Sequence, residues 1–473
     1  MSIKKIFISI LLTINCLINF SILGEAQTPM RDSVLSLQNF LQLVAENHPS
    51  VKQANLLTRT AEAELLTAKG GFDPKLYGDF EQKFFNKKTY FNVGEGGLKV
   101  PTWYGIEAKT SYSYVGGNFI NPSESLPSAG QGLIGVSVPL LQGFMIDDRR
   151  GNLFKARQSQ QLNASERTVL LNDLAFSASQ IYWKWAFSVE NRRIFQEALR
   201  LAEVRFAATK VAFAQGDRMA MDTLESFIQV QDRQMQFNEA RLEVQEANLK
   251  LANFLWNNQN KPLPFSETFV AENLNKTPLN TEGAQNRLVM LQNVTETHPF
   301  LAMYAAKVAQ LNVDKQLKRE KLKPKLNLNY NVLGNALAFN PLFTDNYKWG
   351  ISFSTSTLFR AERGDLELTK IKIENTNLLR DQKALELQNK LRLAFNEVDN
   401  LLIQLDLYTK TVDNYRQLLA LENSRFQLGE SSLFLLNSRE VKLIEAQIKL
   451  AKLQAELQIA QTSVNWAAGR LGF

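Results

Sequence analysis

The chain has 473 residues with 54 basic and 47 acidic side chains, a formal charge of +7, two histidines and one cysteine. So mild a balance, with both signs interleaved and no basic block, speaks against nucleic-acid binding. A single cysteine excludes a disulfide framework and zinc-thiolate sites, and with two histidines and no nucleophile motif the composition is not that of an enzyme. No cofactor and no metal is expected.

At the start, Lys4 and Lys5 precede an apolar run from Ile6 to Leu23 and the small-residue site Gly24-Glu25-Ala26. This is the layout of a secretory leader, and we expect a signal peptide over 1–26. Cys16 lies within it behind Thr13, Ile14 and Asn15, which lack the residues that lipoprotein processing requires. Leader removal takes two lysines and Glu25, which lowers the formal charge by one. No later apolar run has spanning length, so any membrane span of the mature chain must be built from strands.

The remainder reads as two copies of one unit. Both histidines precede proline, at His48-Pro49 and His298-Pro299, and Pro74 and Pro324 follow at the same distance. Gly151 and Gly216 enclose a stretch free of Gly and Pro, as do Gly364 and Gly429, and Phe213 and Phe426 stand three residues before the second glycines. The offset between copies drops from 250 to 213 residues, so the first copy carries a 37-residue surplus in its Gly- and aromatic-rich part between Tyr90 and Gly130. We expect repeat 1 over 27–256, a linker over 257–286 with Pro262, Pro264 and Pro278, and repeat 2 over 287–473.

Each copy is expected to run helix, sheet region, very long helix, long helix. The long helices are predicted over 150–215 and 217–256, then over 364–428 and 430–468. Leu436, Leu443, Leu450, Leu457 and Val464 recur every seven residues, with Ala446, Leu453, Ala460 and Ala467 three places on. Val230, Phe237, Val244 and Leu251, with Ala240, Ala247 and Phe254, repeat the pattern in the first copy. Both are coiled-coil seams.

The sheet regions are expected within 75–140 and 325–355. Leu326, Leu328 and Tyr330 alternate with Asn327, Asn329 and Asn331, and Trp349, Ile351 and Phe353 alternate with Gly350 and Ser352. In the first copy Ile134, Val136 and Val138 alternate with Gly135 and Ser137, and Leu76, Phe80 and Phe84 mark a weaker strand. Period two with one apolar and one polar face is the pattern of a barrel strand with lipid outside and water inside. A conservative count gives two strands per copy and four per chain, too few to close a barrel, so several chains must share one. The surplus admits a second reading, two additional strands joined by an inward turn at Pro101, Trp103 and Gly105.

Gly130-Gln131-Gly132-Leu133-Ile134-Gly135 matches a dinucleotide fingerprint in letters, but a strand rather than a helix follows it, so it reads as a loop leading into a strand. The two histidines read as helix caps beside their prolines.

The duplicated His-Pro starts, the strand Gly135 to Leu140, and the two Phe-x-x-Gly turns at Phe213 to Gly216 and Phe426 to Gly429 resemble the TolC-like outer-membrane efflux protein family over the mature chain. That resemblance implies a mixed α/β membrane protein: a transmembrane β-barrel shared by a homotrimer, about four strands per protomer, continued by a long α-helical coiled-coil tunnel into the periplasm. It implies the exit duct of a tripartite efflux pump or type I secretion system in the cell outer membrane. The implied partners are a periplasmic adaptor and an inner-membrane transporter, docked at tips marked by Phe213, Gly216, Phe426 and Gly429. Leu326, Leu328, Tyr330, Trp349, Ile351 and Phe353 would face lipid, and Asn327, Asn329, Asn331 and Ser352 the lumen. In the family, acidic residues six and nine places after the second tip glycine narrow the pore. Here those places hold Leu435 and Ser438, whereas the first copy has Asp222 and Glu225. Ser354 also stands where the first copy has Pro139. The rival reading from another class is a non-pore periplasmic coiled-coil scaffold with a soluble sheet.

Overall fold

The computed structural model describes residues 34–117, 119–120, 125–263, 269–274, 284–335 and 346–473. The expected leader and the linker prolines Pro264 and Pro278 lie outside them. A two-residue strand β1 (Val34–Leu35) leads into α1 (Leu37–Asn47) and α2 (Pro49–Gly70). Four strands follow, β2 (Lys75–Phe85), β3 (Lys88–Pro101), β4 (Glu107–Gly116) and β5 (Gln131–Pro139), then α3 (Asp148–Ala214) and α4 (Ala220–Ala252). After β6 (Val270–Ala271) come α5 (Ala284–Thr297), α6 (Pro299–Glu320), β7 (Lys325–Asn335), β8 (Tyr347–Ser354), α7 (Arg360–Gln427) and α8 (Leu433–Ala467).

Both His-Pro pairs start helices. The Nδ1 of His48 accepts the Ser50 N–H at 3.1 Å and that of His298 accepts the Phe300 N–H at 3.1 Å, while the prolines occupy the first helical position, where no N–H is needed. A histidine thus does the work usually left to Ser or Asp. The rods α3 and α7 have 67 and 68 residues, each about 100 Å long at the α-helical rise. Gly151 and Gly364 lie inside their first turns rather than before them. Gly151 is there for space, since a Cβ would lie 2.5 Å from Leu317 of α6.

α3 pairs with α4 and α7 with α8; α2 packs on α3, α6 lies between α3 and α7, and α8 also touches α3. The heptad residues supply much of this packing: Leu436, Leu453, Leu457, Ala460 and Ala467 are all but fully buried, as are Ala240 and Leu251. One core gathers Phe40, Tyr182, Trp183, Trp185 and Leu251, a second Leu391, Phe395, Leu453 and Leu457. Tyr182 donates to the Leu35 carbonyl at 2.6 Å, which ties α3 to the short parallel pair β1–β6. No helix among the described residues is long and apolar enough to cross a membrane.

The sheet corrects the expected strand count. Among the described residues it holds six strands in the order β2-β3-β4-β5-β7-β8, all antiparallel, not four. The surplus forms β3 and β4, joined by a turn in which the Thr102 N–H reaches the Ile106 carbonyl at 2.8 Å and Gly105 takes φ +82°. Gly94, Gly96 and Gly97 interrupt the alternation of β3 along the chain. In the sheet they are strand residues: a Cβ on Gly97 would lie 2.5 Å from the Thr110 carbonyl and 2.8 Å from the Tyr77 hydroxyl, and Phe80 lies against Gly94. Glycine costs strand propensity in isolation, a cost that packed aromatic neighbours offset.

Candidate channel wall and helical tips

The register of the sheet separates two faces. Leu76, Phe80, Leu98, Thr110, Tyr112, Ile134, Val136, Leu328, Tyr330, Trp349, Ile351 and Phe353 fall on one face by successive cross-strand pairing. This face is apolar yet exposed: Leu76 is 84% accessible, Phe80 71%, Trp349 59% and Phe353 64%. A water-soluble protein does not leave so large a contiguous apolar surface uncovered. The other face carries Asn327, Asn329, Asn331 and Ser352, and on the first four strands Lys75, Tyr77, Glu95, Lys99 and Lys109. There the Tyr77 hydroxyl donates to Glu95 at 2.6 Å, Lys109 pairs with Glu95 at 2.7 Å, and the Lys99 ammonium stands 4.6 Å over the Tyr77 ring. Leu326 shares the apolar side with Phe353, its cross-strand partner.

Where strands meet rods, Arg150 is buried and held by Asp147 at 2.9 Å and by the Gly143 and Phe144 carbonyls. Burial opposes the charge of Asp147, but Arg150 and Arg149 outweigh it and hold the carboxyl below its ordinary pKa. The turn between β3 and β4 docks on this corner: Trp103 meets Phe72 at 5.0 Å between ring centroids, Arg157 covers Trp103, and Arg149 bridges to Glu107 at 3.3 Å.

At the far end each rod stops in the same way. Gly216 at φ +84° donates to the Phe213 carbonyl at 3.0 Å and Asp217 to Ala212 at 2.9 Å; Gly429 at φ +78° donates to Phe426 at 3.2 Å and Glu430 to Arg425 at 2.9 Å. Both are Schellman ends, which need a left-handed residue. The two tips touch through Arg218, whose guanidinium lies 4.3 Å from the Phe426 ring centre. Sequence reasoning missed Arg218, because nothing along the chain says that the two turns meet.

Of the four expected aperture residues, Asp222 stands in the first turn of α4 and Glu225 one turn on. Glu225 accepts from the Asn437 amide at 3.2 Å, and Asn437 in turn accepts from Arg205, which pairs with buried Glu440 at 2.5 Å. Arg233, also buried, donates to Gln236 at 2.8 Å, and burial lowers its pKa. Leu435 and Ser438 are half-buried in the first turns of α8, where Ser432 caps the helix by accepting the Leu435 N–H. The structure therefore ties Glu225 between helices, and no ion pair engages Asp222 among the described residues.

Residues 290–470 match the family described as outer membrane efflux protein. The matched stretch runs from within α5 to just past the end of α8. Among solved structures, it is similar over 92% of its length to the open-state MtrE outer membrane channel of Neisseria gonorrhoeae, covering 89% of that chain at 14% identity and a TM-score of 0.68. The CmeC outer membrane channel of Campylobacter jejuni aligns over 92% of this chain and 85% of its own, at 14% identity and a TM-score of 0.64. VceC of Vibrio cholerae aligns over 92% and 96%, at 12% identity and a TM-score of 0.62. At such identities these likenesses are of fold. None of the curated proteins matches the chain in sequence. The family is one of channel proteins, not of enzymes.

A further feature escaped the sequence reading. α4 exposes Met221, Ile228, Met235, Leu242 and Leu249, a second apolar stripe at seven-residue spacing beside the internal seam. Its signal was present in the sequence, two heptad positions away from the seam of Val230, Phe237, Val244 and Leu251.

Proposed function

We propose that the chain is the outer-membrane exit duct of a tripartite efflux pump or type I secretion system, a passive conduit from periplasm to exterior formed by a homotrimer. The observation that carries this reading is the six-stranded sheet with an exposed apolar face, a polar opposite face and two unpaired edges. Lipid cannot satisfy bare strand edges, and six strands are fewer than the roughly eight a closed barrel needs, so several chains must share the wall. The unpartnered stripe on α4 supports the same arrangement for the rods, which continue the wall as a helical tunnel. The tandem-copy plan, with its matching His caps and Schellman tips, suits two similar sixths of the tunnel wall per chain.

In this reading the apolar face from Leu326 to Phe353 meets lipid, and Asn327, Asn329, Asn331 and Ser352 meet water in the lumen. The tips at Phe213, Gly216, Phe426 and Gly429 take the periplasmic adaptor, which links the duct to an inner-membrane transporter. Asp222, without an ion pair among the described residues, narrows the pore electrostatically, while Leu435 and Ser438 contribute an uncharged rim. Light scattering of the detergent-extracted protein, corrected for detergent, tests the assembly: a trimer that conducts ions in a planar bilayer supports the duct. Recovery of the mature protein solely in the soluble periplasm would sink it in favour of the scaffold.

A further inference from the structure

The register of the sheet specifies how neighbouring copies meet. Lys75, Lys99, Lys109, Gly135, Asn331 and Lys348 are successive cross-strand partners, one row running across all six strands on the polar face. Below that row the strands reach further and further toward the helices. β2 begins at Lys75 itself, β3 ends at Pro101 and β4 begins at Glu107, two residues below; β5 ends at Pro139, four below; β7 begins at Lys325 and β8 ends at Ser354, six below. Six residues of stagger over five strand spacings is a slant of roughly 40°, taking a rise of about 3.4 Å and a spacing of about 4.8 Å. That is the strand tilt a closed barrel requires, and a flat soluble sheet does not need it.

Among the described residues the edges are β2 and β8, each paired on one side alone. β2 leaves the helices as β8 returns to them, so β2 of one copy meets β8 of the next in antiparallel fashion. The faces restrict the register further, because a shift by one residue would turn Leu76 and Phe80 into the lumen; only steps of two keep them outside. Opposite Lys348 the choices are therefore Asp79, Glu81 or Lys83. Asp79 would reverse the slant that every other strand step keeps or increases. Lys83 would set two ammonium groups against each other, which destabilises a cross-strand pair. Glu81 continues the slant and matches the charge, and among the described residues neither Glu81 nor Lys348 has an ion-pair partner within its own chain. The same register sets Phe80 against Trp349 and Leu76 against Phe353 on the lipid side, joining exposed apolar side chains from the two edges.

We propose that three copies close an eighteen-stranded barrel through a β2–β8 seam in which Glu81 of one copy faces Lys348 of the next. This rests on the shared-barrel reading above and adds to it the strand number, the seam and its register. Three copies of four strands would give twelve; six strands per chain widen the wall by about half, since barrel diameter grows nearly in proportion to strand number.

Disulfide trapping tests the seam, since the chain's sole cysteine, Cys16, lies in the expected leader. Asp79→Cys with Gly350→Cys places the two thiols directly opposite, and a Cβ at Gly350 meets nothing within 4 Å. Oxidation should give a covalent trimer on a non-reducing gel. The shifted pairs, Asp79→Cys with Lys348→Cys and Glu81→Cys with Gly350→Cys, lie on diagonals of roughly 7 Å or more, beyond easy disulfide reach, and should lose it. Preferential cross-linking of a shifted pair would overturn the register. Cryo-electron microscopy of the wild-type oligomer in detergent separates the two levels of the proposal. Three subunits with eighteen wall strands support it; three subunits with a twelve-stranded wall overturn it and leave the duct standing. A particle without a shared barrel overturns the reading beneath it.

Discussion

Glycine and histidine are the residues whose environments decide most at fixed points of this fold. A Cβ on Gly216 or Gly429 would meet nothing within 4 Å, so the only demand there is the left-handed backbone. Gly216→Ala should cost about 1 kcal/mol, and Gly216→Asn less, since Asn tolerates that conformation. Faster amide exchange over Ala212 to Asp217 in the Ala variant, restored by Asn, would report it. Gly469, at φ +68°, is a different case, because a Cβ would lie 2.6 Å from the Pro299 ring and 3.0 Å from His298. Gly469→Ala should therefore destabilise by roughly 1–3 kcal/mol more than Gly216→Ala, with overpacking added to strain, as a larger loss of apparent Tm. His298 is buried, and first burial, then Lys390 and Lys383, push its pKa from 6.5 down to about 4. The unfolded chain binds the proton more readily, so stability is complete above pH 6.5 and falls as pH drops toward 4, by at most about 3 kcal/mol. His298→Asn keeps a capping acceptor without a titrating ring and should flatten this part of the thermal-stability profile between pH 7 and 4.

Among the elements, the hairpin β3–β4 sets this chain apart from a four-stranded plan. Removing residues 86–116 deletes one inward and one outward strand, so β2 can still be followed by β5 with alternation intact. We expect the shortened chain to assemble with a twelve-stranded wall about one third narrower, visible as a lower strand count in cryo-electron maps. It should also be less stable, because Trp103 leaves Phe72 and Arg157, and Arg149 loses Glu107. The rods, β7 and β8 were legible in the sequence because their patterns are local: heptads, breaker-free runs, and alternation of Asn with Leu and Tyr. β3 was legible only as an alternative, since Gly94, Gly96 and Gly97 interrupt its alternation, and the residues that close over Gly94 and Gly97 come from β2 and β4.

At the scale of the assembled molecule the testable quantity is charge along the pore. A ring of Asp222 carboxylates in a narrow opening favours cations, and salt screens the effect. Asp222→Asn should reduce cation preference in a planar bilayer at low salt, whereas Glu225→Gln, whose carboxylate accepts from Asn437, should act mainly on the packing of α4 against α8. Unchanged selectivity in Asp222→Asn would assign the rim to Leu435 and its neighbours instead. The sequence by itself determined the long rods, the coiled-coil seams, the histidine caps, the glycine turns at the tips and the two-faced alternation of β7 and β8, because each follows from spacing within one segment. The tertiary structure alone decided the number of strands, the meeting of Arg218 with Phe426, the anchoring of Glu225, and the slant that orients the seam. Those depend on which distant segments become neighbours, and a strand's register or a carboxylate's partner has no periodicity along the chain to announce it.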